Sequence, residues 1–245
     1  MERGLYIAAS GMLAAQVRQD VIANNLANAS TPGFKGDIAV GEAFRDMLLV
    51  DSQTREQLGP LSTGTRIAEV AVNLRNGTVR HSGGDLDIAV NGPGWLSAQT
   101  DGGVRYTRNG TLTTNVQGQI TTSEGDPILG VNGQPIVIDQ TKGKVSISPS
   151  GVVTVDGQAA GQIALTTLQD DSIEKLGASY VTGTPAAGVP GGQIAQGYLE
   201  NANVNSVEEM VDLIVNMRTY EAGQKVIRAI DDTLDKAVNQ VGRVM

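Results

Sequence analysis

The tightest constraint in this chain of 245 residues is a row of apolar side chains near its C-terminal end. Read at alternating steps of three and four, residues 206–245 place Met210, Leu213, Met217, Tyr220, Gln224, Ile227, Asp231, Leu234, Val238, Val241 and Met245 on one stripe, broken only by Gln224 and Asp231. A 3-4 spacing averages about 3.5 residues, so the stripe keeps facing a partner only if the helix supercoils left-handedly. Ser206 as N-cap and Glu209 three positions on read as a capping box, with Glu208 and Glu209 in the positive first turn. Val211, Ile214, Val215, Val226 and Ile230 add a second apolar flank. Such a helix requires another helix beside it.

The N-terminal end supplies a candidate. Over residues 4–28, Leu5, Ala8, Met12, Ala15, Gln19, Ile22 and Leu26 follow the same alternation, with Gln19 the one polar break. The stripe is rich in alanine, which permits close approach but buries little area per contact. Asn24, Asn25 and Asn28 weaken the last turn, because their amides compete for backbone hydrogen bonds. Pro32 then excludes the helical conformation at Thr31, and Gly33 permits a turn. Two stripes of one period at opposite chain ends are expected to pair as a coiled coil, since termini often lie close in space. Its interface is expected at the residues of both stripes, with Gln19, Gln224 and Asp231 as candidates for register control.

Between these helices the period changes. Residues 32–65 hold Gly36, Gly41, Gly59, Pro60 and Gly64 and read as a connecting arm, with a short helix possible over 43–49 presenting Phe44, Met47 and Leu48. From residue 66 the alternation is two, and turn pairs such as Asn76-Gly77, Asn91-Gly92, Asn109-Gly110, Asn132-Gly133, Lys142-Gly143 and Asp156-Gly157 recur. That is the pattern of short antiparallel strands. Trp95 and Tyr106 are expected to supply a disproportionate share of the burial in a thin aliphatic core. The expected class is α+β, divided into helix 1–31, arm 32–65, all-β domain 66–180, return linker 181–205 and helix 206–245.

Chemistry is sparse. The chain has no cysteine, which excludes disulfides, thiolate metal sites and a cysteine nucleophile. Net charge is −8 with no basic cluster, which argues against nucleic acid and anionic membranes as partners. No apolar run reaches the roughly 20 residues that span a bilayer, and the interrupted N-terminal stretch does not read as a cleaved signal. The single histidine, His81, has no ligand-spaced partners. Asp85 and Asp87 share one face of an extended segment, which keeps a carboxylate hydrolase open as a rival. Asp231 and Asp232 point about 100° apart on a helix and form no dyad. The expectation is no enzyme, no catalytic residue, no cofactor and no metal. A β-domain adhesin with helical termini is the rival from another class.

Several stretches together resemble one family. Ala23-Asn24-Asn25-Leu26-Ala27-Asn28-Ala29-Ser30-Thr31-Pro32-Gly33-Phe34-Lys35 resembles the N-terminal signature of bacterial flagellar basal-body rod and hook proteins. Leu86-Asp87-Ile88-Ala89-Val90-Asn91-Gly92-Pro93-Gly94-Trp95-Leu96 is similar to the family's entry into its β domain, although a phenylalanine pair is usual where Trp95-Leu96 stands. Tyr106-Thr107-Arg108-Asn109-Gly110 and Gly125-Asp126-Pro127-Ile128-Leu129-Gly130 are similar to its next segments. Residues 196–205 followed by Val207-Glu208-Glu209-Met210 match its C-terminal signature.

The resemblance implies an axial structural subunit that self-assembles through its terminal helices and transmits motor torque to hook and filament. It further implies export through the flagellar type III apparatus without a cleaved signal, a place in the basal body, and partners that are other copies and neighbouring rod proteins. Terminal segments that order on assembly belong to the same picture. Length and the direct run from signature to β domain resemble the proximal rod form more than the distal one.

Overall fold

The computed structural model describes residues 2–44, 47–50, 57–61, 64–139, 143–188 and 191–239; Val241 and Met245 of the C-terminal stripe and Lys142 of one turn pair lie outside them. The fold is α+β, with a helix at each end and antiparallel strands between. The chain divides into two compact units, one of Met1–Ala27, Asp37–Ala71 and Asn205–Met245, the other of Asn28–Gly36 and Val72–Val204.

The first unit is built on α1 (Glu2–Ala27) and α2 (Ser206–Asn239). Neighbouring residues run in opposite directions along the two. A Cβ on Gly4 would lie 3.3 Å from Ile230, and one on Gly223 2.7 Å from Met12. The Asn216 amide donates to Ala15 O at 2.8 Å, and the Asn25 amide to Glu209 at 3.0 Å. The helices are therefore antiparallel neighbours. The cap of α2 differs from the expected one by a residue: Asn205 Oδ1 accepts from Val207 N, and Asn205 O receives the first helical bond from Glu209 N. Asparagine is at least as good an N-cap as serine, so the cap falls on Asn205 and Glu209 is free to face α1.

The unit also holds β1 (Asp37–Ala43), β2 (Met47–Val50), β3 (Gln57–Leu61) and most of β4 (Thr65–Val72), paired β1 with β4 and β2 with β3. The short helix considered over 43–49 is thus replaced by strand at both ends. Met47 stands opposite Leu61 and Leu48 opposite Pro60, a pairing that satisfies backbone groups a lone turn of helix would leave open. A proline in β3 is tolerated because a two-stranded ladder has only edges.

The second unit is all-β. Its largest sheet has the order β14-β7-β8-β16-β15, formed by β14 (Leu165–Thr167), β7 (Gly94–Thr100), β8 (Gly103–Thr107), β16 (Tyr180–Thr182) and β15 (Glu174–Leu176). A meander of β11 (Val145–Ile147), β12 (Val152–Val155) and β13 (Gln158–Gln162) lies within the same unit. Three two-stranded ladders complete it: β9 (Leu112–Thr114) with β10 (Ile120–Thr122), β6 (Ile88–Asn91) with β17 (Gln193–Gln196), and β5 (Val79–His81) with β18 (Tyr198–Glu200). The last two ladders fall partly in the stretch read as a return linker; that stretch closes the β unit.

The core is aliphatic around Ile88, Leu96, Ile120, Ile128, Val153 and Ile163, with Trp95, Tyr106, Leu168 and Val181 as a second cluster. Asn76-Gly77 and Asn109-Gly110, read as turns, serve another purpose. Neither glycine has a positive φ. A side chain on Gly77 would strike Asn201 O, and one on Gly110 would strike Ile88 O. Here glycine admits a neighbouring backbone, which sequence periodicity does not distinguish from a turn.

Candidate assembly surface and its anchor

In the helical unit, the face of α2 turned to its own molecule is defined by its less exposed residues. Beyond Ser206 they are Glu209, Leu213, Asn216, Tyr220, Gly223, Gln224, Ile227 and Ile230. This face shares Leu213, Tyr220, Gln224 and Ile227 with the expected stripe. Glu209, Asn216 and Ile230 stand where the stripe had Met210, Met217 and Asp231, a rotation of about half a residue step. Met210, Met217, Asp231, Leu234 and Val238 are exposed in the single chain, as are Val211, Ile214, Val215 and Val226 of the flank. On α1 the stripe residues Ala8, Met12, Gln19, Ile22 and Leu26 are half-buried, Ala15 is buried and Leu5 is exposed. Tyr6, Ile7, Leu13 and Val17 are also exposed. After the helices have packed together, each therefore still presents large apolar side chains to solvent, and where such side chains are contiguous they mark an interaction surface.

The polar contacts inside the pair come from residues that stripe periodicity passes over. Asn216 is buried and satisfied by Ala15 O. Asn25 spends its whole amide: its two N–H groups reach Asp37 O at 2.9 Å and Glu209 at 3.0 Å, and its Oδ1 accepts from Asp37 N at 2.8 Å. Asn24 adds a bond to Asp37 Oδ2. Loss of water around Glu209 raises its pKa, partly opposed by the Asn25 bond and reinforced by Asp212 and Glu208.

The β unit contains a buried ionic cluster. Lys35, Arg108 and Glu200 expose 3%, 3% and 2% of their surface. Glu200 Oε1 accepts from Lys35 Nζ at 2.7 Å and from Gly77 N at 2.8 Å, while Oε2 faces Arg108 Nη1 at 3.3 Å. Lys35 Nζ also donates to Arg75 O, and Arg108 to Val90 O and Gly92 O, with its guanidinium 5.1 Å from the centre of the Trp95 ring. Desolvation pulls the Lys35 and Arg108 pKa values down; Glu200 opposes this for both, and for Lys35 the Arg108 charge adds to the lowering.

One carboxylate thus compensates two buried cations. Gly33, at φ 71°, explains the path of the strap formed by residues 28–36. Its N–H reaches Glu200 O at 2.8 Å, and a Cβ there would run into the Arg108 backbone. Pro32 and Phe34 of the signature belong to the same strap, and the Phe34 ring lies under Lys175 Nζ at 4.0 Å.

None of these charged residues was singled out from the sequence. A signal was present: each is the only charged residue of its motif, at 23–35, 106–110 and 196–205. A lone charge within an otherwise uncharged motif is more informative than another leucine there. The residues considered for chemistry sit elsewhere. His81 stacks edge-on against Tyr198 at 5.1 Å, Asp87 folds back over Gly84, and Asp231 and Asp232 are exposed. Among the described residues, no group of three or more histidine, aspartate or glutamate side chains is placed to hold a metal.

A chain with an antiparallel terminal helix pair in one unit, an all-β second unit, and signature motifs spent on internal ties has the features of a structural protein class. The comparisons give the same class and its family. Residues 5–35 match the family described as flagella basal body rod protein. Residues 89–155 match the flagellar hook protein FlgE/F/G D1 domain, and residues 195–241 the flagellar basal body rod FlgEFG protein C-terminal family. The chain is 34% identical over 262 residues to flagellar basal-body rod protein FlgG of Buchnera aphidicola (subsp. Schizaphis graminum), covering 95% of this chain and 97% of that protein. It is 34% identical over 250 residues to flagellar basal-body rod protein FlgF of Caulobacter vibrioides, covering all of both. FlgG of Bacillus subtilis is 31% identical, with 98% of this chain and 99% of the relative covered. This chain belongs to the flagellar basal-body rod protein family.

Proposed function

We propose that this chain is a structural subunit of the flagellar basal-body rod, that it polymerises through its terminal helices, and that it has no catalytic role. The observation carrying this reading is the apolar surface left on both helices after they pair. Most of these valines, isoleucines and methionines are about half exposed, so covering one gains about half of the roughly 1.5–3 kcal/mol of complete burial. Copies of this chain and neighbouring rod proteins are the partners that would cover it, and supercoiling of α1 and α2 into a coiled-coil layer is the form the covering takes. Gln19, Gln224 and Asp231 would then bear on register between subunits. The place of action is the basal body, reached through the flagellar type III export apparatus. Among the described residues no helix is long and apolar enough to cross a membrane. The proximal rod position is the one favoured here, with the distal position as the alternative.

The test is a full-length chain carrying Val211→Asp and Val215→Asp, two exposed positions one turn apart. Negative-stain microscopy and sedimentation should show ordered polymers for the parent and monomers for the variant, with the near-ultraviolet signal of the β unit unchanged. Polymers of equal length from both chains would refute assembly through this face.

A further inference from the structure

The chain passes between its two units four times, after residues 27, 36, 71 and 204. Inside the β unit, the segments next to three of these crossings converge on one side chain. Asn203 Oδ1 accepts from Gly36 N at 2.7 Å. Its Nδ2 donates to Asn73 O at 2.7 Å and to Arg75 O at 2.8 Å. Its backbone N reaches Phe34 O at 3.3 Å, and Gly36 O accepts from Asn73 N at 2.7 Å. Every hydrogen-bonding group of the amide is used, across sequence separations of 167, 130 and 128 residues. An asparagine that merely shapes a turn bonds its own neighbours two residues on, as Asn73 and Asn115 do. Asn203 does not.

We infer that Asn203 is a positioning residue that fixes the entry and exit segments of the β unit relative to one another, so that residues 34–36, 73–75 and 203 form one rigid tie. The strap 28–36 carries the first crossing as well, because Gly33 and Lys35 hold it to Glu200. The Asn203 bonds are part-buried or exposed, and because all are made at once, each member loses a bond if it moves. Three chain segments held by one tie share any force applied along them, whereas loose segments would be pulled taut one at a time. The consequence for a polymer rests on the function proposed above. The tie itself does not.

The test uses the full chain, whose lack of cysteine permits clean pairwise spin labelling. Ser30, Arg75 and Asp101 are exposed. Label pairs at 30/101 and 75/101 report the strap and the β4 exit against the sheet. The otherwise native chain should give one narrow distance for each pair. Asn203→Ala should lose the narrow distance in both. Asn203→Asp keeps the acceptor for Gly36 N but sets a carboxylate against Asn73 O and Arg75 O, so only the 75/101 distance should broaden. Narrow distances throughout, or equal broadening by both substitutions, would overturn the assignment. So would loss of the near-ultraviolet signal, because a positioning role leaves the core intact. Polymers of the Asn203→Ala chain should bend more than those of the parent. Failure of the unsubstituted chain to polymerise would count against the proposed function alone, and the distances would still decide this inference.

Discussion

Replacing Glu200 with glutamine changes one oxygen for an NH₂ group and leaves the shape of the buried cluster intact. The consequence is electrostatic. Lys35 and Arg108, both almost fully buried, lose the one carboxylate that lies 2.7 Å and 3.3 Å from them. Removing one partner of a buried ion pair costs about 3–5 kcal/mol, because an uncompensated charge remains in a region of low dielectric. Here two cations are stranded, so the upper half of that range applies. For a domain of this size about 1 kcal/mol corresponds to about 2–4 °C in Tm, giving a fall on the order of 10 °C.

The control is Glu42→Gln. Glu42 and Arg66 approach to 3.0 Å, a distance like that of the buried pair, but their side chains are 54% and 60% exposed. The expected cost there is within about 0.5 kcal/mol. Thermal melts followed through Trp95 in the near-ultraviolet measure the first substitution, and helix melts the second. Equal, small effects would mean that water reaches the Glu200 cluster, and the reasoning from burial would fail.

Two further outcomes follow from the same geometry. Gly33→Ala should destabilise the β unit by at least about 2 kcal/mol in denaturant titration, since φ 71° is strained for alanine and its Cβ meets the Arg108 backbone; an effect under about 0.5 kcal/mol would refute the strap's path. Glu209 has a folded pKa raised chiefly by desolvation, so the folded helix pair binds its proton more tightly than the unfolded chain does. The stability penalty is therefore full above the raised pKa and is relieved as pH falls through it. Helix melts should rise in temperature over that mildly acidic interval and should lose this dependence in Glu209→Gln; a parent chain that melts lower there would reverse the sign.

The sequence made the two helices and the strand content legible because both are periodic signals, and Trp95 and Tyr106 are buried together as their size implies. What remained hidden was non-periodic. Half-step rotation of the α2 face depends on which residue pairs fit against alanine and glycine: Gly223 lets Met12 in, and Asn216 reaches a carbonyl that no apolar residue could satisfy. A stripe count ranks Met217 above Asn216, yet the amide is the one inside. The strands between 193 and 200 were obscured by glycine and alanine on both sides, and they became strands because β6 and β5 offered ladders from more than a hundred residues away.

The two units satisfy opposite demands with the same motifs. In the β unit, Lys35, Arg108 and Glu200 are hidden although burying charge is costly, and a hydrophobic replacement of similar volume could be equally stable. In the helical unit, methionine, valine and isoleucine are exposed although covering them would be favourable. Neither choice maximises the stability of a lone chain. The buried charges admit few alternative pairings, so they determine which segments meet, and the exposed apolar residues leave stabilisation to be gained if something covers them. A sequence under pressure for monomer stability alone would exchange both. Keeping them is the expected solution for a subunit whose shape must be set before assembly and whose remaining stability comes from it.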